Sequence, residues 1–420
     1  MQICMAADTI GPCSCKIHDH KNQAMGIFAK MNSMQRFAGL LGLFLWAFPV
    51  MAQQVRVRVE PVSKVQEFVF QSLSDETVIT AGDSFPVLVA KINTLEKVTV
   101  KMRESKLALM YEDKILGEYP RVFFWTNDKN PRFKLLFKDA ANTSKTYAGS
   151  LLVQPNPGAV ELINEVFIED YIRGVVNAEA GHHKNLDFFK VQALSARTYA
   201  LNNLGRHKSH GYDLCDHTHC QAYKGEYQSS PLIERAVTET KGEVIVFDGN
   251  QLIDAVFSAN CGGFTANSED VWIANVKYLR SMPDYDFCEG SNNHAWHLTL
   301  PKLAFLAKLG AYLNVEATSF EIVPDVSGRV RKAYLNGNPT LSISGEEIRR
   351  LFKFKSSMFH IYDAQSLLFV EGSGFGHGVG MCQDGAYYLG QMGLDYERII
   401  QHYYKGVDIL PLDEVIGIWN

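Results

Sequence analysis

Residues 168–205 read IEDYIRGVVNAEAGHHKNLDFFKVQALSARTYALNNLG, and this stretch predicts two consecutive helices. The apolar residues of the first helix recur at helical spacing, at Ile168, Ile172, Val175 and Val176. Glu169 and Asp170 lie where a helix N-terminus favours negative charge. The second helix is expected to run from Asn185, as its N-cap, to Leu204, because Gly205 then ends it.

Strand patterns flank this helical stretch on both sides. Alternating apolar residues at 55–59 and 97–101 predict half-buried strands. Residues 147–153 and 159–163 predict a hairpin around the turn at 155–158. Further strands are expected at 243–257 and 329–343, followed by a capping box from Ser344 to Glu347 and a last helix at 386–404. We therefore expect an α+β fold, in which a β-rich N-terminal region, residues 53–146, packs on a mixed helix and strand core, residues 147–420.

The N-terminus has the pattern of an export signal. Arg36 precedes an apolar run, 37–50, that is too short to span a bilayer, and the run ends in Val50-Met51-Ala52, typical of a secretory cleavage site. Met31 or Met34 would give a signal of ordinary length, so residues 1–52 are interpreted as a signal peptide with an over-extended start. We expect an exported protein, periplasmic or extracellular, without a transmembrane anchor after cleavage.

The charge pattern argues against a polyanionic partner. The 420 residues carry a net charge of −5 without long charged runs. A nucleic-acid or anionic-lipid surface would need a basic patch, and none is visible in the sequence. We expect no nucleic-acid partner.

Glu179 is the first candidate for chemistry. It follows Val175 by four residues and Val176 by three, so the apolar stripe of the first helix ends in a carboxyl group. A buried carboxyl group keeps its proton near neutral pH, as a general acid requires. The alternative is an ordinary exposed or ion-paired glutamate near a helix end.

Residues 210–220, HGYDLCDHTHC, combine two thiols and three imidazoles. This mixture suits tetrahedral zinc, and we predict Cys215, His219 and Cys220 as ligands, with His210 or His217 as the fourth. Two Cys and two His fill the coordination shell, so the zinc would be structural. The alternatives are a Cys215–Cys220 disulfide or free thiols; the odd number of cysteines beyond residue 52, five, makes a poor disulfide framework.

Two glycine-containing segments are further candidates. Glycines alternate through residues 374–385, where a backbone can approach a ligand closely, and His377 at the centre is either a ligand-binding group or a structural histidine. Residues 258–265 contain Cys261, which could be a thiol nucleophile. We favour instead a site where small polar side chains and backbone amides bind a sugar.

Several segments together resemble the stage II sporulation protein D family, which carries the SpoIID/LytB domain. The similar segments are IEDYIRGVVNAEA (168–180), VQALSARTYAL (191–201), CDHTHCQAYKG (215–225), FSANCGGFTANSEDVW (257–272) and GFGHGVGMCQDGAYYLGQMG (374–393). Two departures are visible: Ala180 and Gly181 replace the usual Met-Pro, and Cys382 replaces a serine. The resemblance covers residues 147–407 approximately.

The resemblance implies a peptidoglycan lytic transglycosylase that acts on glycan strands without stem peptides. It places the catalytic acid/base on Glu179 and a structural zinc on His210, Cys215, His219 and Cys220. Candidates for substrate binding are Arg197, Tyr199, Gln221, Ser258 and His377. A second hypothesis is a non-catalytic, glycan-binding enhancer of a cell-wall amidase. A zinc amidase is the weakest alternative, because a metal with four protein ligands has no position left for water.

Overall fold

Strands dominate the first part of the structure, a computed structural model that describes residues 53–60, 64–137, 143–225 and 230–415. The predicted signal peptide, 1–52, lies outside the described residues. The strands before the first helix are β1 (Gln54–Val59), β2 (Glu67–Ser72), β3 (Glu76–Ala81), β4 (Val87–Asn93), β5 (Lys97–Arg103), β6 (Lys106–Tyr111), β7 (Lys114–Tyr119), β8 (Val122–Trp125), β9 (Arg132–Phe137), β10 (Ser144–Ala148), β11 (Ser150–Asn156) and β12 (Ala159–Phe167). The strands predicted at 55–59 and 97–101 and the hairpin β11–β12 are confirmed.

These strands form two sheets around one apolar core. The six-stranded sheet has the order β10-β9-β2-β5-β6-β7, and the seven-stranded sheet includes β13 (Leu214–Cys215) in the order β13-β1-β12-β11-β8-β3-β4. The first strand, β1, pairs antiparallel with β12 and parallel with β13, so Val57 lies opposite both Asn164 and Leu214. The N-terminal strand is thus part of the same sheet as the strand that carries Cys215.

The two helices predicted from residues 168–205 are present as α1 (Ile168–Ala180) and α2 (Leu186–Asn202). Asn185 caps α2, since its side chain accepts a hydrogen bond from Phe188 N at 2.8 Å. Helix α2 is buried along most of its length and contacts α1, α3 (Pro231–Glu239) and β14 (Glu243–Phe247). It is the central helix of the fold.

The remaining elements complete the core and add a second one. They are β15 (Gln251–Leu252), β16 (Phe257–Ser258), α4 (Ser268–Val271), α5 (Tyr285–Cys288), β17 (Ala295–Pro301), α6 (Lys302–Leu313), β18 (Phe320–Pro324), β19 (Val330–Leu335), β20 (Asn338–Ser344), α7 (Gly345–Phe352), β21 (Phe359–Ala364), β22 (Leu367–Ser373), β23 (Met381–Cys382), α8 (Gln383–Gln391), α9 (Tyr396–Tyr403) and β24 (Val407–Pro411). Elements β17 to β22 enclose a separate apolar cluster that includes Trp296, Phe305 and Val370. The α+β prediction is confirmed.

The C-terminal helix prediction is wrong in one respect. The single helix expected at 386–404 is two helices, α8 and α9, because the chain turns at Gly393 with φ of +89°. Asp395 then caps α9 by accepting a hydrogen bond from Arg398 N at 2.9 Å. The predicted capping box of α7 is confirmed, with Ser344 and Glu347 bonded reciprocally. Among the described residues, no helix is both long and apolar enough to cross a membrane.

Candidate functional site

Glu179 lies in the last turn of α1, and its carboxyl group is half-buried. Its Oε1 accepts a hydrogen bond from the backbone N–H of Ala222 at 2.8 Å. Helix α1 packs through Ile172, Val175 and Val176, which are fully buried. The apolar stripe therefore fixes the helix, and the loop at residue 222 fixes the carboxyl group.

The surroundings of Glu179 favour its protonated form. Burial raises the pKa of the carboxyl group above its ordinary value, and the Ala222 N–H and the charge of Lys224 oppose that rise. The end of a helix also carries partial negative charge, which disfavours a second negative charge there. Burial therefore makes this carboxyl group easier to protonate than an ordinary glutamate, which is the direction that a general acid requires.

Gln221 lies next to this contact and is almost fully buried. Its Oε1 accepts a hydrogen bond from the Tyr171 hydroxyl at 3.3 Å, while its Nε2 has no protein partner. A buried amide donor without a partner is costly, so the group is available to a bound ligand. Of the predicted substrate-binding residues, Gln221 is the one that neighbours the Glu179 contact in the chain.

A group of side chains that could hold a metal ion precedes Gln221 directly in the chain. His207, Cys215, His219 and Cys220 place one ligand atom each within 4.8 Å of all the others. The Nδ1 of His219 lies 3.6 Å from Cys215 Sγ and 3.7 Å from Cys220 Sγ, and the Nε2 of His207 lies 3.4 Å from Cys220 Sγ. Sulfur and nitrogen ligands of one tetrahedral zinc are about 3.5 Å apart, as follows from Zn–S of about 2.3 Å and Zn–N of about 2.0 Å. The donor set and its spacing therefore fit zinc.

The fourth position of this group differs from the prediction. His207 occupies it, whereas the predicted His210 lies outside the group and its Nδ1 is 3.2 Å from the Ser209 hydroxyl. A short 3-10 helix, Lys208–His210, and the left-handed Gly211 turn the chain so that His207 faces the cysteines. His217 is also outside and lies by Asp216 instead.

The two thiols of this group are electrostatically coupled. Their mutual hydrogen bond, the largest influence on each, lowers the pKa of Cys220 to about 6 and raises the pKa of Cys215 to about 12. Cys220 is therefore the thiol that deprotonates first. Both cysteines are free thiols in the structure, so the alternative of a Cys215–Cys220 disulfide is not present.

Two predicted substrate-binding residues are used inside the protein. Arg197 is fully buried and forms a bidentate ion pair with Glu169, with Nε–Oε1 at 2.9 Å and Nη2–Oε2 at 2.7 Å. The Tyr199 hydroxyl accepts a hydrogen bond from Arg206 at 2.9 Å and is nearly buried. Both side chains project from the central helix α2 into the core, where they contact protein groups. Their role in the structure is therefore structural.

Ser258 and His377 belong to a second group, at the glycine-rich segment. Strand β16, with Ser258, pairs with β23, and a Cβ on Gly376 would lie 2.6 Å from the Ser258 Cβ. Burial lowers the pKa of His377 to about 4, and its Nδ1 accepts a hydrogen bond from Val379 N at 3.1 Å. His377 is therefore a neutral imidazole.

Trp272 was not anticipated from the sequence. Its ring lies 5.1 Å from the His377 ring, and it remains 42% exposed. An exposed indole with one apolar face is a platform on which a ring-shaped ligand can stack. The sequence could not indicate Trp272 as a site residue, because its contact with His377 joins positions that are 105 residues apart.

Comparisons with known proteins agree with the resemblance seen in the sequence. The profile of the stage II sporulation protein family, SpoIID, matches residues 156–247. An uncharacterised protein of Brachyspira hyodysenteriae is 31% identical over 77% of this chain and 85% of its own length. Stage II sporulation protein D of Bacillus subtilis is 27% identical over 67% of this chain and 87% of its own length. The amidase enhancer of Bacillus subtilis is 26% identical over 57% of this chain and 40% of its own length.

The fold and the site together define an α+β protein in which one desolvated carboxyl group lies beside a two-His, two-Cys loop. The chain belongs to the SpoIID/LytB family. Membership supports a function connected with the cell wall.

Proposed function

We propose that this protein is a lytic transglycosylase that cleaves peptidoglycan glycan strands, with Glu179 as the acid and base. The observation that carries the proposal is the half-buried Glu179 carboxyl group, whose pKa is raised by burial and whose Oε1 is held by Ala222 N–H. Among the described groups that shift this pKa, none is a second carboxylate. A single carboxyl group suffices for an intramolecular transfer, whereas hydrolytic glycosidases use two.

The proposed reaction uses one proton, which Glu179 donates and then regains. Protonated Glu179 donates its proton to the oxygen between N-acetylmuramic acid and N-acetylglucosamine, and the bond from that oxygen to C1 breaks. The Glu179 carboxylate then accepts the proton of the C6 hydroxyl of the same muramic acid while that oxygen bonds to C1. The products are a 1,6-anhydro end and a free glucosamine end, no water is consumed, and Glu179 regains its proton.

The two-His, two-Cys loop is connected to the Glu179 contact through Gln221 and Ala222. We propose that His207, Cys215, His219 and Cys220 hold zinc as a structural ion. Ala222 lies two residues after Cys220, so fixing the cysteine also fixes the N–H that orients Glu179. The Gln221 amide and the exposed Trp272 are proposed to contact sugar; the first is a hydrogen-bond donor and the second a stacking surface.

Mass spectrometry of peptide-free glycan strands tests the proposal. Wild-type protein is expected to release 1,6-anhydro-muramic products, and Glu179→Gln is expected to lower the rate by about 10²–10⁴-fold, the usual contribution of a general acid. The matched control is Glu321→Gln on the exposed face of β18, which should keep full activity. Undiminished activity of Glu179→Gln, or reducing-end products formed with water, would contradict the mechanism.

The second candidate function is enhancement of a cell-wall amidase. The observation that favours it is the similarity to the Bacillus subtilis amidase enhancer over 57% of this chain. In that case neither wild type nor Glu179→Gln cuts glycan strands alone. Wild type and Glu179→Gln would both bind strands, and both would increase product release by an added amidase to the same extent.

A further inference from the structure

A second group of metal-binding side chains lies in the core of the C-terminal half. Its members are Cys261, Asp284, Cys288 and Cys382, whose ligand atoms lie within 4.8 Å of one another. Each residue is at most 1% exposed. They come from three places in the chain: the turn after β16, the two ends of α5, and the N-cap of α8.

The distances between the ligand atoms suit one shared ion. Cys261 Sγ lies 3.6 Å from Cys288 Sγ and 3.1 Å from Asp284 Oδ2. Two thiolates on a tetrahedral zinc are about 3.8 Å apart, and a thiolate and a carboxylate oxygen about 3.5 Å apart, given Zn–S of about 2.3 Å and Zn–O of about 2.0 Å. A disulfide needs about 2.05 Å between its sulfurs, so the observed spacing matches ligands better than a covalent pair.

The buried carboxylate also calls for a cation. Asp284 accepts hydrogen bonds from the Tyr403 hydroxyl at 3.0 Å and from Cys261 Sγ at 3.1 Å, and His402 Nε2 lies 3.7 Å from its Oδ1. A carboxylate removed from water is costly unless a positive partner or a metal ion compensates it. A divalent ion between Asp284 and the three cysteines would supply that compensation.

The surroundings are arranged as they are around metal thiolates. Cys382 Sγ accepts hydrogen bonds from the backbone N–H groups of Cys261, at 3.3 Å, and Gly385, at 3.4 Å. The second donor is in the first turn of α8, where the helix favours negative charge. A Cβ on Gly385 would lie 2.6 Å from Asp284 Oδ2, so a larger residue at this position would clash with the carboxylate.

A buried cation balances the charge of such a site. Three thiolates and one carboxylate exceed the charge of a divalent ion, and the fully buried Arg329 donates a hydrogen bond to the backbone carbonyl of Cys261. The Nη1 of Arg329 donates to the carbonyl of Phe264 at 2.8 Å. Such outer contacts hold metal ligands in place.

We propose that Cys261, Asp284, Cys288 and Cys382 bind a second zinc ion, separate from the ion at His207, Cys215, His219 and Cys220. Thiolate-rich tetrahedral sites select zinc over harder divalent ions. Four protein ligands close the coordination shell, so the ion fastens the turn after β16 and helix α5 to the N-terminus of α8. The proposal does not depend on the reaction assigned to Glu179.

Zinc content per chain, measured by elemental mass spectrometry on the full chain, tests the site. Cys288→Ser is expected to contain one zinc fewer than the wild type, and Cys382→Ser to do the same. Cys215→Ser serves as the reciprocal control, because it removes a ligand of the other group and should leave this ion bound. Unchanged zinc content in Cys288→Ser would overturn the proposal.

A second measurement separates the metal from a disulfide and does not need a folded Cys288 variant. Peptide mapping of the wild type without reducing agent is expected to show Cys261, Cys288 and Cys382 unlinked. Cobalt added to metal-free Cys215→Ser protein should then give the thiolate-to-cobalt charge-transfer absorption. A Cys261–Cys288 disulfide, or no such absorption, would overturn the second zinc site.

Discussion

At the scale of single residues, the pKa of Glu179 is set by burial and by two neighbouring groups. Burial raises its pKa, while the Ala222 N–H and the Lys224 charge lower it. Lys224 itself is exposed, so it can be changed with little effect on packing. Substitution of Lys224 can therefore change the pKa of Glu179 while the Glu179 side chain itself stays unchanged.

Lys224→Met is expected to raise the pKa of Glu179, because a positive charge that favours the carboxylate is lost. If Glu179 is the general acid, the alkaline limb of the kcat/KM profile on glycan strands should move to higher pH. Lys224→Arg keeps the charge and should keep the wild-type limb. If the pH profile is the same in all three proteins, the activity does not depend on the ionisation of Glu179.

Glu179→Gln should change the pH dependence of stability. The folded-state pKa of Glu179 is raised above its unfolded value, so the wild type gains stability below the unfolded pKa and loses it as the pH rises through the folded pKa. Glutamine does not titrate, so Tm of Glu179→Gln relative to wild type should increase from pH 4 to pH 8. Thermal unfolding at several pH values measures this; a constant difference would mean that Glu179 is not desolvated.

At the scale of elements, the loop that follows α2 carries the proposed zinc ligands and ends at the contact with Glu179. Three of the four ligands could be read from the sequence, because Cys215, His219 and Cys220 lie within six residues. His207 could not, since its approach to Cys220 depends on the turn at Gly211. Spacing left His210 and His217 as alternatives, and the family resemblance placed the fourth ligand on His210.

His207→Ala is expected to lose the zinc of this loop, and His210→Ala to retain it. The reason is that the Nε2 of His207 lies 3.4 Å from Cys220 Sγ, whereas His210 is outside the group. Zinc content and the chelator concentration needed for half removal are the measurements. The reverse result would return the fourth ligand to His210.

The elements themselves were predictable to different degrees. Helices α1 and α2, the hairpin β11–β12 and the capping box of α7 follow from periodicity and short-range signals. The division of the last helix was missed, since the apolar pattern continues across Gly393 and Asp395. The group around Cys261 could not be predicted either, because 121 residues separate that cysteine from Cys382.

At the scale of the whole molecule, the sheets join regions that the sequence suggested as separate. The predicted boundary between residues 146 and 147 falls within β10, and β1 pairs with β12 and β13 beyond it. One apolar core includes Val57, Phe70, Ile172 and Val191 from both regions. The N-terminal strands thus contribute directly to the core that holds α1.

A fragment of residues 147–420 is therefore expected not to fold by itself. Without β1, β13 loses its hydrogen-bonded neighbour in the sheet, β12 keeps only β11, and the apolar face of α1 loses part of its cover. Amide dispersion in two-dimensional NMR spectra, compared with residues 53–420, is the measurement. A well-dispersed spectrum of the shorter fragment would show two independent domains.

The position of β1 has a consequence for how the chain is made. Ribosomes deliver β1 first, yet Arg56 N bonds to Asp213, 157 residues later. Contacts so distant in sequence slow folding, since a long loop must close before they form. During that interval the valine face of β1 and its backbone edges are exposed, a known route to aggregation. Synthesis of this protein is thus expected to depend on chaperones that shield β1 until residue 215 has emerged.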